Sequence, residues 1–410
     1  MQLPANRYRV SLFGYGVTTK AIAAKFGPCT VYDDHVNKPF TDDAGNRLRP
    51  SSEFDPRYSD LEIPSPGIPP KHPLIAAARH LKGEYDFFAE VMPFSVWISG
   101  TNGKTTTTQM LTHLLAERGA VAGGNIGTPL AELDPAAPLW VLETSSFTLH
   151  YTEEASPGLY ALLPVTPDHL SWHGGMEGYI ADKLKPLATM KEGEAALIPE
   201  ALLPHLPETA AWVVGYKNAD DLAERFGIDT ARLRFKGGFL LDAVIAMAVD
   251  AILFDRRDYD RINAFVIEPH RQEELHDALG RLWVNDTKAT NIDAALAAMA
   301  AYGDRRVHLI VGGDDKGVDL EPLLEALKAY DVSLYAIGSN ETRLLEAARR
   351  AGVPCSGHGV LEKAVEAIAE VHDADAVALL SPAAASLDQF RSYAERGNLF
   401  KEYVGRLGKA

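Results

Sequence analysis

Apolar positions along the chain fall into short runs separated by segments of helical period. Tyr8–Phe13 reads as a strand, a glycine turn at Gly14 and Gly16 follows, Thr18–Phe26 carries a helical pattern, and Thr30–Tyr32 reads as a second strand. This β-α-β opening gives way to a stretch rich in proline (Pro64, Pro66, Pro69, Pro70, Pro73), which reads as loop. Phe94–Ser99 is a run of strand formers that feeds, through glycines, a helix over Lys104–Glu117. Strands are expected at Leu139–Leu142 and Tyr160–Val165, and helices at Tyr179–Met190 and Leu240–Leu253. From Gly280 onward the alternation is regular. Strands are expected at Gly280–Asn285, Val307–Val311, Ser333–Ile337 and Ala376–Leu380, and helices at Ile292–Ala301, Leu320–Ala329, Thr342–Ala351 and Leu361–Glu370. Strands separated by helices predict parallel sheets covered on both faces. Shifts in composition predict three α/β domains, over residues 1–90, 91–266 and 267–410.

Composition narrows the function classes. With 40 basic and 56 acidic residues the formal charge is −16, which argues against a broad grip on nucleic acid or an anionic membrane. An apolar fraction of 46% is enough to build cores. The two cysteines, Cys29 and Cys355, rule out a disulfide framework and fit a reducing compartment. The greasy segment Phe239–Phe254 is interrupted by Asp242 and Asp250 and reads as too short for a bilayer. The first residues show no basic-then-apolar leader, so the expectation is a soluble cytoplasmic protein.

The most informative segment is Ser99-Gly100-Thr101-Asn102-Gly103-Lys104-Thr105-Thr106, between a strand and a helix. Glycines let backbone N–H groups curl around phosphate oxygens, and the helix N-terminus adds partial positive charge. Lys104 would neutralise outer phosphates and the Thr105 hydroxyl would hold Mg²⁺. The full phosphate-loop pattern wants a small residue where Ile98 stands, which leaves a plain glycine-rich turn as the alternative. Glu143, at the end of a strand, is placed to complete a Mg²⁺ shell. Asp168-His169-Leu170-Ser171-Trp172-His173, expected in a loop, could supply a second cation site or a general base. Spacing alone gives Lys183 no role. In the third zone His270-Arg271, Asn285–Asn291 and Gly312–Gly317 bring Lys288, Thr290 and Lys316 to strand-end loops, where open α/β sheets bind ligands, a set suited to a small dicarboxylate. Leu380–Phe390 again runs from strand into helix, a segment that Arg396-Gly397 is expected to end.

Gly-Thr-Asn-Gly-Lys-Thr, Glu-Thr-Ser-Ser-Phe, Asp-His-Leu-x-x-His and the stretch Tyr179–Lys183 resemble the Mur ligases of peptidoglycan synthesis, relatives of folylpolyglutamate synthetase. Within that family, Asn-Asp-Thr-Lys-Ala-Thr-Asn and Leu-Ser-Pro-Ala-Ala-Ala-Ser-Leu-Asp-Gln-Phe are similar to the motifs of members that add D-glutamate. The matches run in order from Gly14 to Gly397. The resemblance implies a Rossmann-like UDP-binding domain, a central P-loop-type ATPase domain with a mostly parallel sheet, and a C-terminal Rossmann-like α/β domain. It implies ATP-driven amide formation through an acyl phosphate, with UDP-N-acetylmuramoyl-L-alanine and D-glutamate as substrates, ATP and two Mg²⁺ ions, and a monomer that engages neither nucleic acid nor membrane.

Residue by residue, the resemblance implies that Gly14, Gly16 and Thr18 face the diphosphate, Asp33 and Asp34 lie near the uracil, and Ser65 and Gly67 close the pocket. Asn125 and His173 would hold the muramoyl part. Gly100–Thr106 would bind ATP, with Lys104, His173 and Lys183 as catalytic residues and Thr105, Glu143, His173 and Lys183 as cation ligands. Lys183 matches a lysine that relatives carry as a carbamate. Arg271 and Asp286 would contact ATP, and Lys288, Thr290, Lys316, Ser386 and Leu387 would hold D-glutamate. Joining the two substrates would need a hinge near residue 266. One departure stands out: Gly238-Phe239-Leu240-Leu241-Asp242 occupies the place of the family's His-Asn-x-x-Asn element, which leaves the adenine contact open. The competing readings are another amide ligase of the same kind, a P-loop kinase for a small molecule, or a non-catalytic nucleotide-binding module.

Overall fold

The computed structural model describes residues 9–408. Three sheets organise them. The first holds β1 (Val10–Phe13), β2 (Thr30–Asp33), β3 (Phe40–Thr41), β4 (Arg47–Pro50) and β5 (Leu61–Pro64), in the order β3-β4-β2-β1-β5. The second holds β6 (Ser95–Ser99), β7 (Ala120–Gly124), β8 (Leu139–Glu143), β9 (Leu159–Leu162), β10 (Ala195–Pro199) and β11 (Trp212–Tyr216), in the order β11-β10-β9-β6-β8-β7. The third holds β12 (Glu273–His276), β13 (Leu282–Asn285), β14 (Val307–Val311), β15 (Val332–Ile337), β16 (Cys355–Gly359) and β17 (Val377–Leu380), in the order β12-β13-β17-β14-β15-β16. Pairing is parallel except where β3 meets β4 and β12 meets β13.

The burial pattern explains why these segments are strands. β6, β8, β9, β10, β14 and β17 are buried at every position, as expected of strands covered on both faces by helices. Leu12, Val31 and Ile63 of the first sheet share one apolar cluster with Phe87, Trp97, Trp140 and Leu162, so the first two sheets rest on a common core. The third sheet has a cluster on each face, one around Leu309, Leu334 and Leu379 and the other around Trp283, Ile310 and Phe400.

The described residues form two compact units: one runs through Phe235 and includes Phe239–Phe265, and the other comprises Lys236–Gly238 and the chain from Val266. The first two sheets thus lie within one unit. The long apolar helix, Gly237–Phe254, is long and apolar enough to cross a membrane by length and composition, which differs from the reading of that segment as too short. Its central run Asp242–Ala251 is buried throughout, as in a core helix.

Several local elements differ from the sequence-based expectations. Tyr8, expected to open the first strand, lies outside the described residues. The proline-rich stretch contains a short helix, Pro73–Ala77, begun by proline at its first turn and capped by the His72 side chain. The segment expected as a loop at 168–173 is in part helical: His169 adopts a left-handed φ of 51°, and Leu170–His173 forms one turn closed by Gly174. The helix expected over Tyr179–Met190 is two, Met176–Leu184 and Pro186–Thr189, because proline cannot donate to the preceding turn. The sequence reading missed β3, β4, β5, β7, β10 and β11, and also β16, a glycine-containing strand between two helices, and β12, whose residues are mostly polar.

Candidate functional site

The phosphate loop sits where β6 ends and the helix Lys104–Leu114 begins. Gly100 (φ 143°) and Gly103 (φ 83°) hold backbone conformations that a side chain resists. Space demands glycine too, since a Cβ at Gly103 would stand 2.4 Å from Asp242 Oδ1. Thr101 is buried and ties the loop down: its hydroxyl donates to the Thr166 carbonyl at 3.0 Å and lies 3.1 Å from the Tyr179 hydroxyl. Lys104 Nζ donates to the carbonyls of Gly100 (3.1 Å) and Thr101 (2.7 Å), so its charge lies over the loop itself. Asn102 and Thr105 are half-buried, and Thr106 is buried.

Beside this loop, Thr105 Oγ1 donates to Glu143 Oε2 at 2.7 Å, and Asn125 Nδ2 donates to Glu143 Oε1 at 2.7 Å. One carboxylate, delivered by the end of β8, therefore joins the helix after the phosphate loop to the turn after β7. The helix Glu84–Phe88 packs beneath: the Tyr85 hydroxyl reaches the Glu143 carbonyl at 3.4 Å.

Lys183 is 1% exposed. Its Nζ donates to the Gly100 carbonyl at 2.8 Å and stands 4.7 Å from the centre of the Tyr179 ring. Burial, and then the charge of Lys104, push the ammonium well below its ordinary range, favouring the free amine. His173 lies nearby, packed on Phe147 and Tyr179, with Nδ1 at 2.6 Å from Asp182 Oδ2 and Nε2 at 3.0 Å from Ser146 Oγ. Burial lowers its pKa, and Asp182 opposes that shift. Asp182 also meets His150 Nδ1 at 2.9 Å. This carboxylate, which orients two imidazoles, escaped the sequence reading. Its one signal was adjacency to Lys183 on a helix, and its partners come from other elements.

The first sheet presents a second group of loops. Gly14 (φ 76°) and Gly16 pass so close to Ser65 that a Cβ on either would stand 3.2 Å or less from that side chain. Thr19, beside Thr18, braces this turn, donating to the Gly14 carbonyl at 2.7 Å. Thr18 is half-buried at the start of the helix. Asp33 accepts the backbone N–H groups of Tyr15 (2.7 Å) and His35 (2.8 Å), which hold its carboxyl low against the effect of burial. Asp34 accepts from Ser51 and lies 2.9 Å from His72 Nε2. The loop that carries Ser65 and Gly67 reaches the His173 segment, because Trp172 Nε1 donates to the Gly67 carbonyl at 3.3 Å. Within this unit the glycine turn, the phosphate loop, Glu143 and His173 therefore form one connected region.

The second unit gathers its candidate residues at the carboxyl ends of β13, β17 and β14, which are neighbours in the sheet although β17 comes last in the chain. That is the topological crevice where α/β sheets bind ligands. Backbone bonds join the three loops: Ala383 N to Ala289 O (3.0 Å), Gly312 N to Pro382 O (2.8 Å), and a paired bridge between Asp314 and Ala385. Lys288 lies 3.4 Å from Glu268 and over the Tyr393 ring. Thr290, Lys316 and Leu387 are exposed and Ser386 is buried. Burial raises the Asp286 carboxyl to about 7, although Ser381 donates to it at 2.7 Å. Arg271 is half-buried, and its charge acts on Asp286. Five of the non-glycine residues with positive φ, His169, His270, Gln272, Lys316 and Ala383, fall in or beside these candidate loops, which is where strained backbone concentrates.

The side chains fit a divalent cation unevenly. Thr105 and Glu143 place two hard oxygen donors side by side at the phosphate loop, the donor chemistry Mg²⁺ prefers. His173 and Lys183 do not supply such a set as they stand. Both imidazole nitrogens are engaged within the protein, and an amine is a poor ligand for a hard cation. Among the described residues no cluster of three or more His, Cys, Asp or Glu side chains forms a metal site.

A glycine-lined loop between strand and helix, with its lysine and a threonine–carboxylate pair, defines a phosphate-binding α/β protein of the nucleotide-dependent class. The comparisons are narrower. A model of the Mur ligase middle domain matches residues 98–206, and one of the Mur ligase glutamate ligase domain matches residues 270–383. A UDP-N-acetylmuramoylalanine--D-glutamate ligase of Campylobacter jejuni (strain 81-176) is 55% identical over 403 residues, covering 97% of this chain and 100% of that protein. The ligase of the same name from Helicobacter pylori (strain 26695) is 45% identical over 418 residues, covering 97% and 99%. Among solved structures, the MurF ligase of Thermotoga maritima in complex with ADP shares the fold at a TM-score of 0.59 and 16% identity, covering 98% of this chain and 96% of that one. Folylpolyglutamate synthase of Mycobacterium tuberculosis, complexed with ADP and AMPPCP, matches at a TM-score of 0.53 and 15% identity, over 76% of this chain and 92% of that one. The chain belongs to the Mur ligase family.

Proposed function

We propose that the chain is an ATP-dependent ligase that joins D-glutamate to UDP-N-acetylmuramoyl-L-alanine in the synthesis of peptidoglycan precursors, and that it works as a cytoplasmic monomer. The observation that carries the reading is the 55% identity, over 97% of the chain, to proteins named for that reaction. The candidate loops suit it chemically. A carboxylate does not acylate an amine at neutral pH, because its oxygen is a poor leaving group. Transfer of the γ-phosphoryl group of ATP to the L-alanyl carboxylate gives an acyl phosphate and ADP. The amine of D-glutamate then adds to the acyl carbon, the C–O bond to phosphate breaks, and a proton is lost.

In this reading the first sheet's lobe holds the UDP-sugar, the second sheet's lobe the triphosphate, and the third the amino acid. Gly14, Gly16 and Thr18 face the diphosphate, Asp33 and Asp34 the uracil, and Ser65 and Gly67 the edge of that pocket. Gly100–Thr106 cradle the phosphates, with the Lys104 charge at hand to leave its loop carbonyls for the γ-phosphoryl oxygens. Mg²⁺ between Thr105, Glu143 and the nucleotide would offset phosphate charge there. Asn125 and His173 orient the muramoyl carboxylate, His173 being steered by Asp182. Lys183, held as the free amine by burial, is suited to add to CO₂, losing a proton and becoming a carbamate. That change turns a cation into a carboxylate-like ligand beside the phosphate loop and supplies what a second Mg²⁺ would need. Arg271 and Asp286 serve ATP from the second unit, and Lys288, Thr290, Lys316, Ser386 and Leu387 take the two carboxylates and backbone of D-glutamate.

The test is to incubate the protein with ATP, Mg²⁺, UDP-N-acetylmuramoyl-L-alanine and either glutamate enantiomer, and to weigh the product. Gain of one glutamate less one water, with the D form alone, is expected. A product formed with the L form alone, or a stable phosphorylated substrate that forms without any amine, would overturn the reading.

A further inference from the structure

Arg396-Gly397, expected to end a helix, instead lies near the start of one, Tyr393–Arg406, because Ser392 caps that helix and the residues from Ser381 to Ser392 form loop, and the pair has no task assigned so far. Yet Arg396 is 1% exposed, among the largest fully buried side chains of the molecule. A buried guanidinium normally sits against a carboxylate. This one is instead solvated by backbone and hydroxyl oxygens. Nε donates to Thr287 Oγ1 at 2.8 Å, and Nη2 donates to the carbonyls of Thr287 (3.0 Å) and Ala384 (3.1 Å). Nη1 reaches the Ala385 carbonyl at 3.4 Å. Gly397 makes this approach possible: a Cβ there would stand 2.4 Å from His270 Nδ1 and 2.6 Å from Thr287 Cγ2.

The oxygens that Arg396 holds belong to the loops assigned to the amino acid. Thr287 precedes Lys288, and Ala384 and Ala385 precede Ser386. Ala385 in turn pairs with Asp314, two residues before Lys316, and a Cβ on Gly313 would stand 3.3 Å from Nη1. One rigid planar cation thus bonds two of the three strand-end loops at their roots, and the third is tied to it through the Asp314–Ala385 pairing. Lysine is a point charge on a single nitrogen and cannot reproduce the spread, planar set of contacts that Nε, Nη1 and Nη2 make here.

We propose that Arg396 is a positioning residue for the amino-acid site, fixing the spacing of the loops that carry Lys288, Thr290, Lys316 and Ser386 so that both carboxylates of the incoming dicarboxylate are met together. This rests on the D-glutamate reading above. The site binds an amino acid with a charge at each end, so a small spread of the loops weakens one contact whenever the other is made.

Kinetics with each substrate varied in turn test it. Arg396→Lys keeps the charge and loses the fork. It should raise KM for D-glutamate about tenfold or more, with KM for ATP and for the UDP-sugar within about twofold of wild type. Thr287→Val, which removes the Nε partner at nearly constant volume, should shift the same KM in the same direction, and Thr287→Ser should restore it. A lowered melting temperature with KM for D-glutamate unchanged, or an equal rise for all three substrates, would overturn the proposal and leave Arg396 a structural strut. Should Arg396→Lys fail to fold, the Thr287 pair decides by the same criteria. A wild-type protein that does not use D-glutamate would instead sink the functional reading and this inference with it.

Discussion

Glu84→Gln is expected to stabilise the protein in neutral and alkaline solution and to leave it unchanged in acid. Glu84 lies at the start of the helix Glu84–Phe88, next to Tyr85, which packs against the Glu143 carbonyl. It is 5% exposed, and one backbone donor, the Leu130 N–H at 3.0 Å, faces its Oε1. Burial pushes the carboxyl up to about 7, with the Leu130 N–H opposing the shift. The unfolded chain ionises near 4.5. A carboxyl raised in the folded state contributes stability that is present below about pH 4.5 and is lost as pH rises to about 7. A gap of roughly 2.5 units at about 1.4 kcal/mol each amounts to about 3 kcal/mol at pH 8. Glutamine keeps an acceptor for Leu130 and never ionises. Four of the five tryptophans, Trp97, Trp140, Trp172 and Trp212, lie in the first unit, so tryptophan fluorescence in urea reports chiefly on its unfolding. Wild type and variant should coincide at pH 4 and separate by about 3 kcal/mol at pH 8. A constant difference across that range, or a variant less stable at pH 8, would refute the reasoning.

Other predictions concern the phosphate loop and its neighbours. Glu143→Gln should raise the Mg²⁺ concentration for half-maximal activity about tenfold and lower kcat by about a hundredfold, with UDP-sugar affinity within about twofold, as measured by titrating the cation in a phosphate-release assay. Gly103→Ala places a methyl 2.4 Å from Asp242 Oδ1 at a φ of 83°. It should cost about 2 kcal/mol or more and abolish ATP binding measured by calorimetry. Wild-type protein equilibrated with ¹³C-bicarbonate should show a carbamate carbonyl resonance that Lys183→Arg lacks. Its absence from active wild type would remove the carbamate from the account.

Part of the fold was legible because strands such as β6, β8 and β14 bury both faces, although β10, equally buried, escaped. Val307–Val311 is apolar but for His308, and no helical period competes with it, so its bounds follow from composition. Elements whose stability is borrowed from neighbours were not legible. β12 reads Glu-Glu-Leu-His and is a strand because β13 pairs with it, while β16 holds two glycines and exists through its register with β15. The candidate site divided the same way. The phosphate loop is written in consecutive residues whose backbone makes the cradle, and it was readable. The partners that set its chemistry come from elsewhere in the chain: Asp182 on His173, Asp242 behind Gly103, Thr19 bracing the Gly14 turn, and Arg396 beneath the amino-acid loops. Contacts of that kind are decided by packing, which one sequence does not display.

The central claim is that the carboxylate of the UDP-linked substrate attacks the terminal phosphorus of ATP. It is tested most directly by labelling both oxygens of the L-alanyl carboxylate with ¹⁸O and weighing the inorganic phosphate released during ligation with D-glutamate. The account predicts one ¹⁸O atom in every phosphate, because the oxygen that bridged carbon and phosphorus leaves with phosphorus. Unlabelled phosphate formed alongside ligated product would contradict it.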